Sequence, residues 1–324
     1  MSKKIGKLCV AAVLAAVVGV SAAASACTMQ SKHPNARITV EFNEKSYEID
    51  YMLYRNMYPQ TVQHFIELAD SDFYNETIVH NYLTTDWITG AYSYNAVDEA
   101  TGEVIIKYDE AFNRTGGMAE YLEKNCKEEA YYKLVTEGML NGSFSASVYK
   151  RSIPDSKGGD KVDVADALPT VIGEFSENGH RIEDGKGLTA SFGTLKMMYY
   201  KKDSGTKVTV KNSFGQIMPH DYNYNCATSL FAMQVSTSAS SYSESNYAVF
   251  GQLKNDKSKD ALNKLIGDIN DYIASLGSSK WSSSVATKVD KEDKFADEGG
   301  RDIDQTFTMT IMPLIIRTVK ITKY

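Results

Sequence analysis

At 324 residues the chain can form one large domain or two ordinary ones, and its 43% hydrophobic and 11% aromatic content excludes a disordered tail. A net charge of −6 leaves no basic footprint for nucleic acid. Twenty-one tyrosines suit half-exposed strands and grooves, where the ring packs while the hydroxyl stays wet.

The chain opens on a short basic region, "MSKKIGK", followed by the apolar run "LCVAAVLAAVVGVSAAA" and the small residues "SAC" ending at Cys27. That pattern is an export signal, expected to span residues 1–26, and it lies outside the fold. A transmembrane anchor is the other reading, but no basic stop-transfer flank follows. "ASAC" resembles the bacterial lipobox, with Cys27 as the lipidated first residue of the mature chain and residues 27–36 as a tether. It also fits an A-x-A site with cleavage after Ala26. The lipobox usually has Leu three places before the Cys, where this chain has Ala24. The expected location is the outer side of the cell membrane through lipid on Cys27, with soluble secretion as the alternative. No later segment has the long apolar run that a membrane helix needs.

Beyond Cys27 only Cys126 and Cys226 remain. An oxidising compartment permits a bridge between them, and two buried thiols are the equally simple reading. There is no CxxC and there are five His, so no metal site is expected, nor any cofactor.

"ARITVEFNEKSYEIDYMLY" alternates through Ile38, Val40 and Phe42, then through Tyr47, Ile49 and Tyr51. It predicts a hairpin turning at "NEKS". "YPQTVQHFIELADSDFY" predicts a helix with Pro59 in its first turn and one buried face through Val62, Phe65, Ile66 and Ala69. His64 is expected on the exposed side. "TIVHNYL" and "DWITGAYSY" read as strands. Residues 95–170 read as an insertion, turn-rich at first. A charged helix is expected from Met118 to Leu140, with a plain solvent face, and a polar loop follows. With few large aliphatic residues outside that helix, the insertion is not expected to bury its own core.

Strand signals return at "GLTASFGTL", "TKVTVKNSFGQIMP", "TSLFAMQVS" and "YAVFGQL", with His220 in "MPHDY" read as a turn residue. "SKDALNKLIGDINDYIASL" is an amphipathic helix through Leu262, Leu265, Ile266, Ile269 and Ile273. "SSKWSSSVATKVDKEDKFADEGGRD" reads as a polar loop, and "TFTMTIMPLIIRTVKITKY" as the closing strand or strands. Residues 37–324 are thus expected to form one domain, a mainly antiparallel sheet closed as a barrel and capped by two helices.

Taken in order, "ITVEF", "YPQTVQHFIELADSDFYNETIVHNYL", "GEFSENG", "GKGLTASF", "TSLFAMQV" and "YAVFGQL" resemble the cyclophilins. The family reads roughly "aP-x-tv-x-NF-x-x-La-x-x-gfYdgt-x-fHRv". Pro59, Thr61, Val62, Phe65, Leu68, Phe73, Tyr74, Thr77 and His80 fall into place, and Val249, Phe250 and Gly251 match "vvFGkV". The resemblance implies an eight-stranded antiparallel barrel with two capping helices. It also implies peptidyl-prolyl cis-trans isomerase activity on proline-containing segments, which the export signal makes those of exported proteins, and a monomer is expected.

The X–Pro bond isomerises slowly because resonance makes the amide partly double-bonded. A donor held near the prolyl nitrogen lowers the barrier by favouring the twisted amide. The family places an Arg there, directly after the strand His. Here His80 is followed by Asn81, a shorter and neutral donor. The family's "F-M-x-Q-G-G" becomes "DWITGA", which puts Asp86 at the pocket Phe, Trp87 beside it and Thr89 at the Gln. A one-residue shift would instead put Trp87 at the Phe position. "S-Q-F-F" becomes Ser229, Leu230, Phe231 and Ala232, and Tyr247 stands where a His flanks the groove.

The expected catalytic positions are therefore His80 and Asn81. The expected groove is lined by Asp86, Trp87, Thr89, Leu230, Phe231, Ala232 and Tyr247. Two functions follow from the resemblance. One is an isomerase of weak or altered activity, with its donor from Asn81 or from Arg114, Arg151 or Arg181. The other is a non-catalytic domain that binds an extended or proline-containing segment of a partner. Rival motifs are weaker. "GKGLTAS" lacks P-loop spacing, and "DKEDKFADEGGRDID" lacks that of a calcium-binding helix–loop–helix. "NET", "NRT" and "NGS" are glycosylation sequons in a eukaryotic host alone.

Overall fold

Alternation sets the first two strands. In β1 (Asn35–Phe42) the side chains of Ala36, Ile38, Val40 and Phe42 point into the core, and β2 (Lys45–Leu53) buries Tyr47, Ile49, Tyr51 and Leu53. Asn43 and Glu44 both have positive φ, 47° and 61°, as a two-residue turn of the mirror-image kind requires. The structure, a computed structural model, describes residues 31–98, 100–144, 171–182, 187–199, 207–211, 217–221, 226–277, 280–289 and 303–324.

The remaining elements follow in chain order. They are α1 (Pro59–Asp70), β3 (Thr77–Ile78), β4 (Asn81–Tyr82), β5 (Asp86–Thr89), α2 (Tyr108–Phe112), α3 (Gly117–Asn125), α4 (Glu128–Asn141), β6 (Val171–Ile172), β7 (Leu195–Met197), β8 (Lys207–Lys211) and β9 (Ile217–Asp221). Then come β10 (Cys226–Ala227), β11 (Phe231–Gln234), β12 (Val249–Leu253), α5 (Asp256–Ser275), β13 (Ser282–Val289), β14 (Ile303–Thr310) and β15 (Ile315–Lys323). Among the described residues no helix is long and apolar enough to cross a membrane.

The main sheet is antiparallel and runs β3-β15-β1-β2-β12-β7-β11-β5-β4. Its two edges are halves of one segment. Val79 N–H donates to the Leu314 carbonyl on one side (2.9 Å), and His80 N–H donates to the Ile88 carbonyl on the other (3.1 Å). Counting β3 and β4 as one strand, the curled sheet has eight, and residues 77–82 join its edges. A mainly β fold with a curled antiparallel sheet and few helices is therefore what the chain adopts.

Helix α1 carries Pro59 at its start and receives no cap from its own flank. Instead the buried Glu174 carboxylate accepts from Gln60 N–H (3.2 Å) and Thr61 N–H (2.8 Å). Helix α5 is capped locally, with Asn255 Oδ1 accepting from Ser258 N–H (3.0 Å), and it buries Leu262, Leu265 and Ile269 against β2.

Several expectations change. His64 is fully buried, its Nε2 2.8 Å from the Thr228 carbonyl, because α1 is covered on that side as well. The charged helix is two helices, broken at Cys126–Lys127, and α3 is no plain solvent face, since it buries Met118, Tyr121 and Leu122. Residues 282–289 are not loop: they pair with β14 in full register from Ser282↔Thr310 to Val289↔Ile303. Their Ser- and Thr-rich alternation is too polar to read as a strand, yet that composition suits a half-exposed ribbon. His220 lies in β9 rather than in a turn, and Leu195 opens β7 only after "GLTASF".

The insertion does help to build a core, and it shares that core with the late hairpin. Tyr92, Ile106, Tyr108, Ala111, Met118, Tyr121 and Leu122 pack with Ile78, Phe307 and Met309 into a second cluster. Arg151 and the Cys226 side chain, hence any Cys126–Cys226 bridge, lie outside the described residues.

Candidate functional site

Alternation along β5 and β11 divides the predicted site residues between two faces. Phe231 pairs with Thr89 and Met233 with Trp87, and these four point inward, where Phe231 lies 5.3 Å from the Phe65 ring and 5.1 Å from the Tyr74 ring. Asp86, Ala232 and Gln234 share the outer face with Ile88 and, across β7, with Lys196. Thr89 Oγ1 donates to the Ile78 carbonyl at 2.8 Å, which ties β5 to the joining segment. Leu230 is half-buried, and its carbonyl accepts from Met198 N–H at 3.0 Å. Just past β5, Gly90 has φ +94°, and a Cβ there would stand 2.5 Å from the Ser229 carbonyl oxygen.

On the outer face Asp86, which the resemblance aligns with the pocket Phe, carries a charge with a partner. Lys196 Nζ donates to Asp86 Oδ1 at 2.8 Å, and both side chains are fully buried. Ser240 completes the group: its Oγ accepts from Lys196 Nζ (2.7 Å) and donates to Asp86 Oδ2 (2.7 Å). Burial pushes the Lys196 ammonium down, while the Asp86 carboxylate works in the other direction. Ser240 belongs to the Ser-rich segment 235–247, which lies over this face. Tyr247 closes it, 4.7 Å from the Tyr199 ring and 5.0 Å from the Tyr242 ring. Where the resemblance implied an apolar pocket for a proline ring, the chain holds a three-member polar lock beneath its own loop.

At the other end, β14 covers the two expected catalytic positions. The His80 ring is fully buried, with the Tyr92 ring 4.8 Å away and the Phe307 ring 5.1 Å away, and among the described residues no side chain hydrogen-bonds to either of its nitrogens. Burial pushes the imidazole down to about 3, and the Ile78 carbonyl offsets this only in part. His80 is therefore a neutral ring in an apolar box. Asn81 is half-buried, and its Oδ1 accepts from Thr308 N–H at 3.0 Å. No arginine hydrogen-bonds to His80 or Asn81 among the described residues. Arg114 pairs with Glu120 on the insertion surface, and Arg181 is exposed.

Lys196, Ser240, Phe307 and Thr308 are missing from the sequence reading. Lys196 left one signal, a single charge inside "TLKMM". Ser240 left none, being one serine among many. Phe307 and Thr308 read as part of a distant closing strand. For metals and cofactors, no group of three or more His, Cys, Asp and Glu side chains converges among the described residues.

Comparison with known proteins follows the same line. The family model described as "Cyclophilin type peptidyl-prolyl cis-trans isomerase/CLD" matches residues 37–271. No curated protein matches the chain. Among solved structures, a cyclophilin type peptidyl-prolyl cis-trans isomerase of Cryptosporidium parvum is 14% identical, with 90% of this chain and 99% of that one covered and a TM-score of 0.36. The Mimivirus cyclophilin is 12% identical, with 92% and 93% covered and a TM-score of 0.38. At these values no residue role is carried over from either. The family model spans well over half of the chain, and on that ground this protein belongs to the cyclophilin type peptidyl-prolyl cis-trans isomerase family.

Proposed function

We propose that the chain is an exported cyclophilin-type domain, tethered outside the cell membrane through Cys27, that engages X–Pro segments of exported proteins with isomerase activity strongly reduced or lost. The observation that carries this reading is at Asn81. The residue that would donate to the twisting amide is neutral, and its side-chain oxygen is taken by the Thr308 N–H of the same chain. A neutral amide supplies less charge stabilisation than a guanidinium, and rate follows what strengthens in the transition state. The Asp86–Lys196–Ser240 group supports the same reading, since it puts a charge pair where a proline ring needs an apolar wall.

The test is a prolyl isomerisation assay on the mature domain, by exchange spectroscopy, beside an Asn81→Arg variant. Background rates in the native chain with a gain in Asn81→Arg support lost chemistry on an intact scaffold. Native turnover at the level of an ordinary cyclophilin sinks the proposal. The non-catalytic form, a domain that holds an extended segment, is favoured if neither protein turns over while a Pro-containing peptide still perturbs the amide resonances of β5 and β11. The tether has its own test in the mass of the mature N-terminus: acylated Cys27 supports it, and an unmodified terminus overturns it.

A further inference from the structure

Large apolar side chains that stand exposed are few in the described chain: Val97 at 52%, Val104 at 39%, Ile105 at 46% and Tyr324 at 51%. Three of the four fall on one short ribbon at the start of the insertion. Val97 and Val104 are bridge partners, Asp98 N–H donates to the Glu103 carbonyl (2.8 Å), and Ile105 N–H donates to the Ala96 carbonyl (3.0 Å). The tip is a built turn, with Asp98 Oδ1 accepting from Ala100 N–H and Thr101 N–H, both at 2.9 Å. Its base is fixed where Ile106 and Tyr108 enter the second core cluster. A directly opposed pair shares one face of a ribbon, and the next residue points to the other. Val97 and Val104 therefore lie on one face and Ile105 on the opposite one, so the ribbon is apolar and exposed on both sides.

Exposed apolar side chains gathered on one short element mark an interaction site more often than scattered single residues do. A ribbon apolar on both faces fits a cleft better than a flat surface. Its charged neighbours decide between occupants. The ribbon itself carries exposed Asp98 and Glu103 and no Lys or Arg, and Lys107 just beyond it pairs with Glu110 on α2. A second copy would bring the same acidic rim against this one, and an anionic lipid surface would repel it.

We propose that the ribbon 96–105 is a docking finger that inserts into an apolar cleft rimmed by Lys and Arg on a partner protein. This does not depend on whether the domain catalyses isomerisation. The test uses the full chain in cells that make it, with a photo-crosslinking benzoylphenylalanine in place of Ile105, and in a control in place of the equally exposed Tyr324. The expected result is one protein crosslinked from position 105 and not from 324, through an apolar cleft flanked by basic residues. Binding of that purified partner should weaken by about tenfold or more in a Val97→Ser/Ile105→Ser double variant with an unchanged melting temperature. It should also weaken with added salt. Crosslinks to lipid alone, to a second copy or to nothing overturn the proposal, as does a partner whose affinity ignores the double variant.

Discussion

Asp86 and Lys196 show how two residues reshape a face without changing the strands that carry it. Each alone would be an uncompensated charge in a fully buried place, and together with Ser240 they satisfy one another. Removing one partner should therefore cost much more than removing both. Asp86→Ala leaves the Lys196 ammonium buried and unpaired, and a loss of about 3–5 kcal/mol is expected in guanidinium unfolding. The double change Asp86→Asn/Lys196→Met should recover most of it, because volume is kept, no charge remains and the amide can still accept from Ser240. If the double variant proves as unstable as the sum of the singles, the pair is not coupled as its geometry requires. The Asp86 half of this group was legible from the sequence, as a carboxylate at a pocket position. Its partner was not, because a lysine met in a strand reads first as an edge or solvent-facing charge.

At the scale of elements, the hairpin of β13 and β14 is what separates this chain from the fold implied by its motifs. The motifs from Ile38 to Leu253 marked most of the strands of the main sheet and α1, because those segments alternate or repeat strongly enough to be read singly. The hairpin could not be read that way. Its apolar side chains, Val285, Phe307 and Met309, are sparse, and they make sense only beside Tyr92, Tyr121 and Ile78, which come from far along the chain. Phe307, packed on the His80 ring, joins the hairpin to the expected catalytic segment, beside the hydrogen bond from Thr308 to Asn81. Phe307→Ala should cost about 3–5 kcal/mol as a cavity in that cluster. It should also wet His80. The imidazole now held at about 3 should then titrate closer to the ordinary His range near 6.5, measured by its ring resonances against pH. A His80 that stays neutral to the same pH in the variant would mean that Phe307 is not what shields it.

For the molecule as a whole, the two buried histidines set the acid limb of stability from opposite parts of the fold. His64 lies on the buried side of α1, against Thr228 and against Tyr131 of α4, and its imidazole is pushed down to about 4 by burial, with the Thr228 carbonyl opposing. His80 lies under β14 at about 3. The sign is the same for both. Between these values and about 6.5 the unfolded chain binds a proton at each ring and the folded chain does not, so stability is full above about 6.5 and falls as pH drops toward 4 and 3. Two such groups give a slope of up to about 2.7 kcal/mol per pH unit in the middle of that window. From the lower part of that window downward the carboxylates of Glu41 and Asp50, held down by hydrogen bonds from Arg317 and Arg37, add a further loss in the same direction. Glu174 opposes it: burial raises its carboxyl, so its contribution falls as pH rises through the raised value. Chemical denaturation repeated at stepwise pH should show the native chain losing stability from about pH 6.5 downward. His80→Phe, which keeps an aromatic ring in the box formed by Tyr92 and Phe307, should roughly halve the slope between pH 6 and 4. An unchanged slope in that variant would place the missing protons elsewhere and reject a neutral, buried His80.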